Sequence, residues 1–156
     1  MSFIGNIAAA QTAKALGKYN QSVAYQEAAY ERKKAAIREK VYNTIERPRF
    51  LDQQDQQFAN FFVSALRTGA EYRPGTTPFF VGIQNRTNQM LDLALSDYNN
   101  KVTVNDMINQ SLLLKARGTG ERLKGDLTAR AEYMKAGASL LSMGSQSQQA
   151  GRLVIT

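Results

Sequence analysis

The sequence holds no cysteine, no histidine and no tryptophan, and only three prolines in 156 residues. Without cysteine no disulfide can form, and without cysteine or histidine the usual thiolate and imidazole metal sites are excluded. Lack of histidine also removes the commonest general base near neutral pH. So few prolines leave room for long uninterrupted elements. No window of about 18 residues is apolar enough for a transmembrane helix. The N-terminus, MSFIGNIAAAQTAKAL, has no leading positive charge, and Asn6, Gln11 and Lys14 break its apolar stretch, unlike a secretory signal. The monomer is expected to be soluble, or to lie on a membrane rather than span it.

What is present is the composition of a folded soluble chain, 43% hydrophobic and 21% charged, long enough for one domain. The net charge of +7 is unevenly spread: residues 1–50 carry +5, residues 51–100 carry −2 and residues 101–156 carry +4. Two basic ends flank a mildly acidic middle, a distribution able to meet phosphate or anionic lipid.

The spacing of apolar residues is helical throughout, and an all-α fold of few, long helices follows. A first helix is expected over 7–46, with Ala15, Tyr19, Val23, Tyr30, Ile37 and Val41 along one face, a break expected at Gly17 and an end at Arg47 and Pro48. A short amphipathic helix over 50–68 carries the clearest stripe, Phe58, Phe61, Phe62, Ala65 and Leu66, and Gly69 is placed to end it. Residues 69–78 read as a loop with a turn at Pro74-Gly75 and a cap at Thr77. A long helical region over 79–143 follows Ile83, Leu91, Ala94, Tyr98, Val102, Ile108, Leu112, Leu123, Leu127, Met134 and Leu141, with a break expected in the glycine-rich 115–125. Residues 144–156 read as a flexible tail. Such stripes do not close a compact core alone. The expectation is a single domain, an elongated helical hairpin or bundle completed by oligomerisation into a ring, with the small-residue stretch Ala136, Gly137, Leu140 and Leu141 as subunit packing.

Catalysis has little to stand on, and no enzymatic activity and no cofactor are expected. Asp52 and Asp55 sit near a helix start and favour its dipole. The Gly118–Gly125 run is followed by Asp126 rather than the Lys-Ser/Thr of a phosphate-binding loop, and no strand precedes it. Ser139 and Lys135 lack any oxyanion-binding partner. Arg32, Lys33, Lys34, Arg38 and Lys40, interleaved with Tyr25, Tyr30 and Tyr42, form a candidate non-specific DNA surface, diluted by Glu27, Glu31 and Glu39. Phe58, Phe61, Phe62 and Leu66 form a candidate partner or membrane surface.

Two stretches, SALRTGAEYRPGTTPFFVGIQNRTNQMLDLALSDYN and ARAEYMKAGASLLSMGSQSQ, resemble the internal virion (core) proteins of short-tailed bacteriophages. The resemblance also takes in the Tyr19-Asn20 step, the Gly69–Pro78 loop, the Asp92–Asn99 step and the Gly137–Leu141 turn, and covers most of the chain from about Gly5 to Gln149. It implies a homo-oligomeric structural protein inside the capsid near the portal. With portal, tail and other internal proteins as partners, it would leave the head on infection to help form a conduit for DNA across the host envelope. Membrane contact after ejection is part of that expectation, through stretches such as Phe50–Leu66 or Ile4–Leu16. The rival expectations are a tail, neck or portal-associated protein that stays in the particle, a non-specific basic DNA-binding protein, and a coiled-coil adaptor.

Overall fold

The computed structural model describes residues 3–152, and side chains as far as residue 142. Nearly all of it is helix, with no strand among the described residues. Helix α1 is Phe3–Val41, a π-helical turn occupies Tyr42–Glu46, α2 is Arg47–Arg67 and α3 is Thr77–Arg152. The chain forms two compact units: residues 1–30 with 110–156, and residues 31–109.

The first unit is built on small residues. Ala10, Gly17 and Ala24 recur every seven residues along α1 and all are buried. On α3 the buried positions Ser111, Gly118 and Gly125 repeat at the same interval, and so do Ala129 and Ala136. The two helices run antiparallel, with Gly17 against Gly125 and Ala24 against Gly118. Backbone meets backbone there. A Cβ built on Gly125 would lie 2.7 Å from the Ala13 carbonyl oxygen and 2.9 Å from Gly17 Cα, and one on Gly118 would lie 2.9 Å from Ala24 Cβ. At the rim of the seam the Tyr25 hydroxyl is 3.3 Å from Thr119 Oγ1, and Arg122 reaches Gln21 Oε1 at 3.4 Å.

This seam explains why the expected breaks do not occur. Helix α1 runs straight through Gly17 and α3 through Gly118, Gly120 and Gly125. A mid-helix glycine costs about 1 kcal/mol in propensity, but at Gly17, Gly118 and Gly125 the missing side chain admits the facing backbone, and the dispersion contacts of close approach offset that cost. The segment read as a flexible tail continues α3 to Arg152, and residues 153–156 lie outside the described residues.

In the second unit the chain also stays helical where Pro48 was expected to end it. Val41, Glu46 and Arg47 all keep right-handed helical dihedrals, and the Arg47 backbone N–H donates to the Tyr42 carbonyl, five residues back. The wide π turn moves the preceding carbonyls away from the proline ring, which then sits in the first turn of α2 where its missing N–H is tolerated. Helix α2 packs antiparallel on the first part of α3. Gln54 Nε2 donates to the Gln89 carbonyl (2.9 Å) and Gln89 Nε2 to the Gln54 carbonyl (3.0 Å), a reciprocal clasp around the buried Gln54.

The connection between α2 and α3 follows its glycines. Gly69 has φ 72°, its N–H bonds the Leu66 carbonyl and that of Ala70 the Ala65 carbonyl, the Schellman pattern that ends a helix. Gly75, φ 93°, completes the turn after Pro74. Thr76 rather than Thr77 precedes the first turn of α3: its carbonyl accepts the Phe80 N–H, and its hydroxyl is turned back to the Glu71 and Arg73 carbonyls. Tyr72 folds back onto Gly82, between Phe62 (5.0 Å between ring centroids) and Phe79 (5.6 Å).

Two glycines five residues apart are expected to respond with opposite sign. Gly125→Ala drives a methyl into backbone, and overpacking of about 1–3 kcal/mol outweighs the gain in propensity. Gly120→Ala meets nothing within 4 Å and should gain up to about 1 kcal/mol. Urea denaturation followed by circular dichroism, at low protein concentration, measures both. Equal gains at the two sites would show that the seam is not closely packed.

Candidate functional site

The apolar residues whose period is legible in the sequence turn outward. All eleven positions followed along α3, from Ile83 to Leu141, are exposed. On α1, Ala15, Tyr19, Tyr30 and Ile37 are exposed while Val23 and Val41 are half-buried. Apolar residues therefore surround α1 and α3 instead of lying on one side, and α2 alone is strongly one-sided. A seam of Gly, Ala and Ser has little room for Leu, Ile or Tyr, so these side chains lie outside it.

The residues singled out as a partner surface divide. Phe58 lies under the Arg86 guanidinium, 5.3 Å from the ring centroid, with Arg86 also paired to Asp55 at 2.7 Å. Phe62 packs edge-on against Tyr72. Both are engaged within their own unit. Phe61 instead lines a shallow apolar hollow of about 290 Å³ with Ala65, Pro78 and Val81, and Leu66 is exposed.

The four residues chosen for subunit packing also split, and here the expectation is corrected. Ala136 is 2% exposed within the chain itself and continues the inner small-residue seam, whereas Gly137, Leu140 and Leu141 are exposed. Successive helical residues are turned by about 100°, so neighbours such as Ala136 and Gly137 cannot share one face.

The basic candidates are partly spent on local pairs. Lys34 pairs with Glu31 at 3.7 Å and Arg38 with Glu46, while Arg32, Lys33 and Lys40 are exposed with no partner among the described residues. Exposed pairs of this kind contribute little energy. Tyr42 is buried and hydrogen-bonded, so it is not available for stacking.

Tyr42 belongs instead to a polar network that the sequence reading missed. Its hydroxyl donates to Asp97 Oδ1 (2.7 Å) and lies 2.9 Å from Ser96 Oγ, and Arg47 Nε donates to the same Asp97 oxygen (3.1 Å). The network borders an open groove of about 420 Å³ lined by Arg38, Glu46, Phe50, Asp92 and Asn100, among others. Asn100 is 7% exposed, and its Oδ1 is buried with no hydrogen-bond partner among the described residues. The hydrogen bond from Tyr42, reinforced by Arg47, lowers the Asp97 pKa, and burial raises that of Tyr42. Both shifts move the groups away from neutrality, which suits a structural pair and not an acid or base poised to exchange protons. No cluster of acidic residues with metal-holding geometry occurs among the described residues. The only sequence signal for the network was position: seven-residue steps from Ala28 through Ala35 place Tyr42 where small buried residues precede it.

Tyr42→Phe is expected to cost about 1.5–3 kcal/mol at neutral pH, the range for a hydrogen bond to a charged group. Asp97, with its lowered pKa, contributes stability above the ordinary carboxylate range and loses it as pH falls through its folded value. Tyr42, with its raised pKa, contributes below the ordinary tyrosine range and loses it as pH rises through its folded value. The gap between wild type and variant should therefore be widest on the neutral plateau and narrow at both ends, as read from urea midpoints across pH. A gap independent of pH would disprove the coupling. No protein-family model, curated protein or solved structure matches this chain.

Proposed function

We propose that this chain is a structural component of a phage particle, an internal virion protein packed inside the capsid near the portal. It assembles there as a ring of identical subunits and leaves with the genome to help form a conduit across the host envelope. One observation carries the assembly part of this reading: long helices paired through a small-residue seam while their large apolar residues face outward. Such a chain covers that surface by joining copies or neighbours. The sequence resemblance set out above supports the virion and ejection parts. No helix among the described residues is long and apolar enough to cross a membrane, so on this reading any conduit is lined by an assembly and not by a spanning helix of one subunit.

The test is made on intact particles. Virions are surface-labelled or protease-treated before and after triggered DNA release, and this chain is quantified by mass spectrometry. It should be shielded before release and lost from the particle afterwards. A chain that is accessible before release, or that stays with the emptied particle, would instead be a tail, neck or connector component.

A further inference from the structure

The outward face of α3 differs in charge between the two units. In the first unit Leu113, Gly120, Leu127, Met134 and Leu141 recur every seven residues. Leu113, Gly120 and Leu127 follow the buried Ser111, Gly118 and Gly125 by two residues, and Met134 precedes the buried Ala136 by two, roughly 200° round the helix in each case, so this stripe lies on the side away from the seam. Its four large side chains are 56–78% exposed. An unbroken seven-residue repeat is the pattern by which a helix keeps one face against a second helix along its length. Arg117, Lys124 and Arg130 lie one helical turn from Leu113, Leu127 and Met134, and all three are exposed and unpaired among the described residues. Glu121 lies one turn from both Arg117 and Lys124 with no ion pair among the described residues, Asp126 is turned to Arg122 at 3.9 Å and Glu132 pairs with Lys135, so the three cations outnumber the one unpaired carboxylate beside them.

In the second unit Leu91, Leu95, Tyr98 and Val102, spaced three or four residues apart on α3, are among the exposed apolar residues. Asp92 stands beside Leu91 and one turn from Leu95, and Asp106 one turn from Val102. Both are exposed, and neither has a partner among the described residues. Lys101, one turn from Tyr98, is the one cation beside this stripe. The two faces thus share apolar character and helical spacing but carry opposite unpaired charge.

We infer that the basic apolar face of residues 113–141 in one copy docks on the acidic apolar face of residues 91–106 in another. This deepens the assembly reading and rests on it. Charge selects the partner surface. Two basic faces brought together set Arg117, Lys124 and Arg130 against their equivalents, and like charges at an interface suppress that pairing. A basic face against an acidic one places each cation near Asp92 or Asp106 of the other copy, while the apolar stripes supply most of the buried area. A contact between two different surfaces of identical chains can be repeated head to tail, and such a heterologous repeat closes into a ring where its rotation returns on itself; a two-fold pair that uses both faces at once stops at a dimer.

The experiment uses the full chain and two surface variants, compared by analytical ultracentrifugation over a range of concentration and salt. One variant reverses the acidic face, Asp92→Lys with Asp106→Lys. The other reverses the basic face, Arg117→Glu with Lys124→Glu and Arg130→Glu. All five side chains are exposed, and circular dichroism verifies that helix content is kept. Wild type should associate, less so as salt screens the charges. Each variant alone should associate at least about tenfold more weakly, and an equimolar mixture should recover association, because every contact in it again joins opposite charges. If either variant alone associates as well as wild type, the contact is not between these two faces. If the mixture stays monomeric, charge does not select the pairing. Either result overturns this contact while leaving the assembly reading intact. A wild-type chain that stays monomeric and binds anionic vesicles or DNA through residues 113–141 would overturn both this contact and self-assembly.

Discussion

The close approach of backbone to backbone at Gly17 and Gly125 is the constraint on which the first unit depends. Where no side chain separates two helices, each lies within van der Waals reach of the other's peptide groups, and the contact is made of many weak dispersion terms instead of a few large buried side chains. Such a contact needs small residues at every seventh position on both helices. It tolerates nothing larger, because a Cβ at Gly125 would meet backbone that cannot rotate aside. The same requirement keeps α3 unbroken through a segment with three glycines, two of which lie in the seam.

A seam of small residues has a second consequence. Among the described residues the buried apolar side chains are six alanines and Tyr42, while leucines, isoleucines, tyrosines and methionines are exposed by the dozen or more. In an ordinary globule the hydrophobic effect puts the large side chains inside, because they remove the most apolar area from water. Here the division is inverted. The geometry of the pairing admits only small residues, and the large apolar side chains stay exposed on the chain. The polar features of the second unit serve a different end: the Gln54–Gln89 clasp and the Tyr42–Asp97–Arg47 network are directional, so they fix register where dispersion alone would let helices slide.

This inversion also governs what could be read from the sequence. The helical class was legible because apolar residues recur at helical spacing whichever way they face, and the stop at Gly69 was legible because a left-handed cap selects glycine. The outward stripe of α3 was legible residue by residue. The inner seam was not, since Ala, Gly and Ser carry little weight in a hydrophobic pattern and glycines read as breaks. Pro48 misled for a related reason: the rule that the residue before proline avoids helical geometry describes a preference, and a π turn removes the clash behind it. Ala136 and Gly137 were grouped by composition, although helical rotation sends one into the seam and the other into solvent. The Tyr42 network depends on residues about fifty positions apart, which no local pattern joins.

An inner contact of small residues and an outer surface of large ones divide the work of the chain. The inner contact is intramolecular, so its strength does not depend on concentration, and its close packing makes it intolerant of change. Contacts between molecules, such as those proposed for the outer surface, follow mass action and, where unpaired charges flank them, ionic strength. A chain built this way can give up one set of neighbours without first dismantling its own helix pairing. That property agrees with the proposed packing in one assembly and action in another. Here the outer apolar faces, with their opposite charges, are the part of the molecule left to make and exchange those contacts.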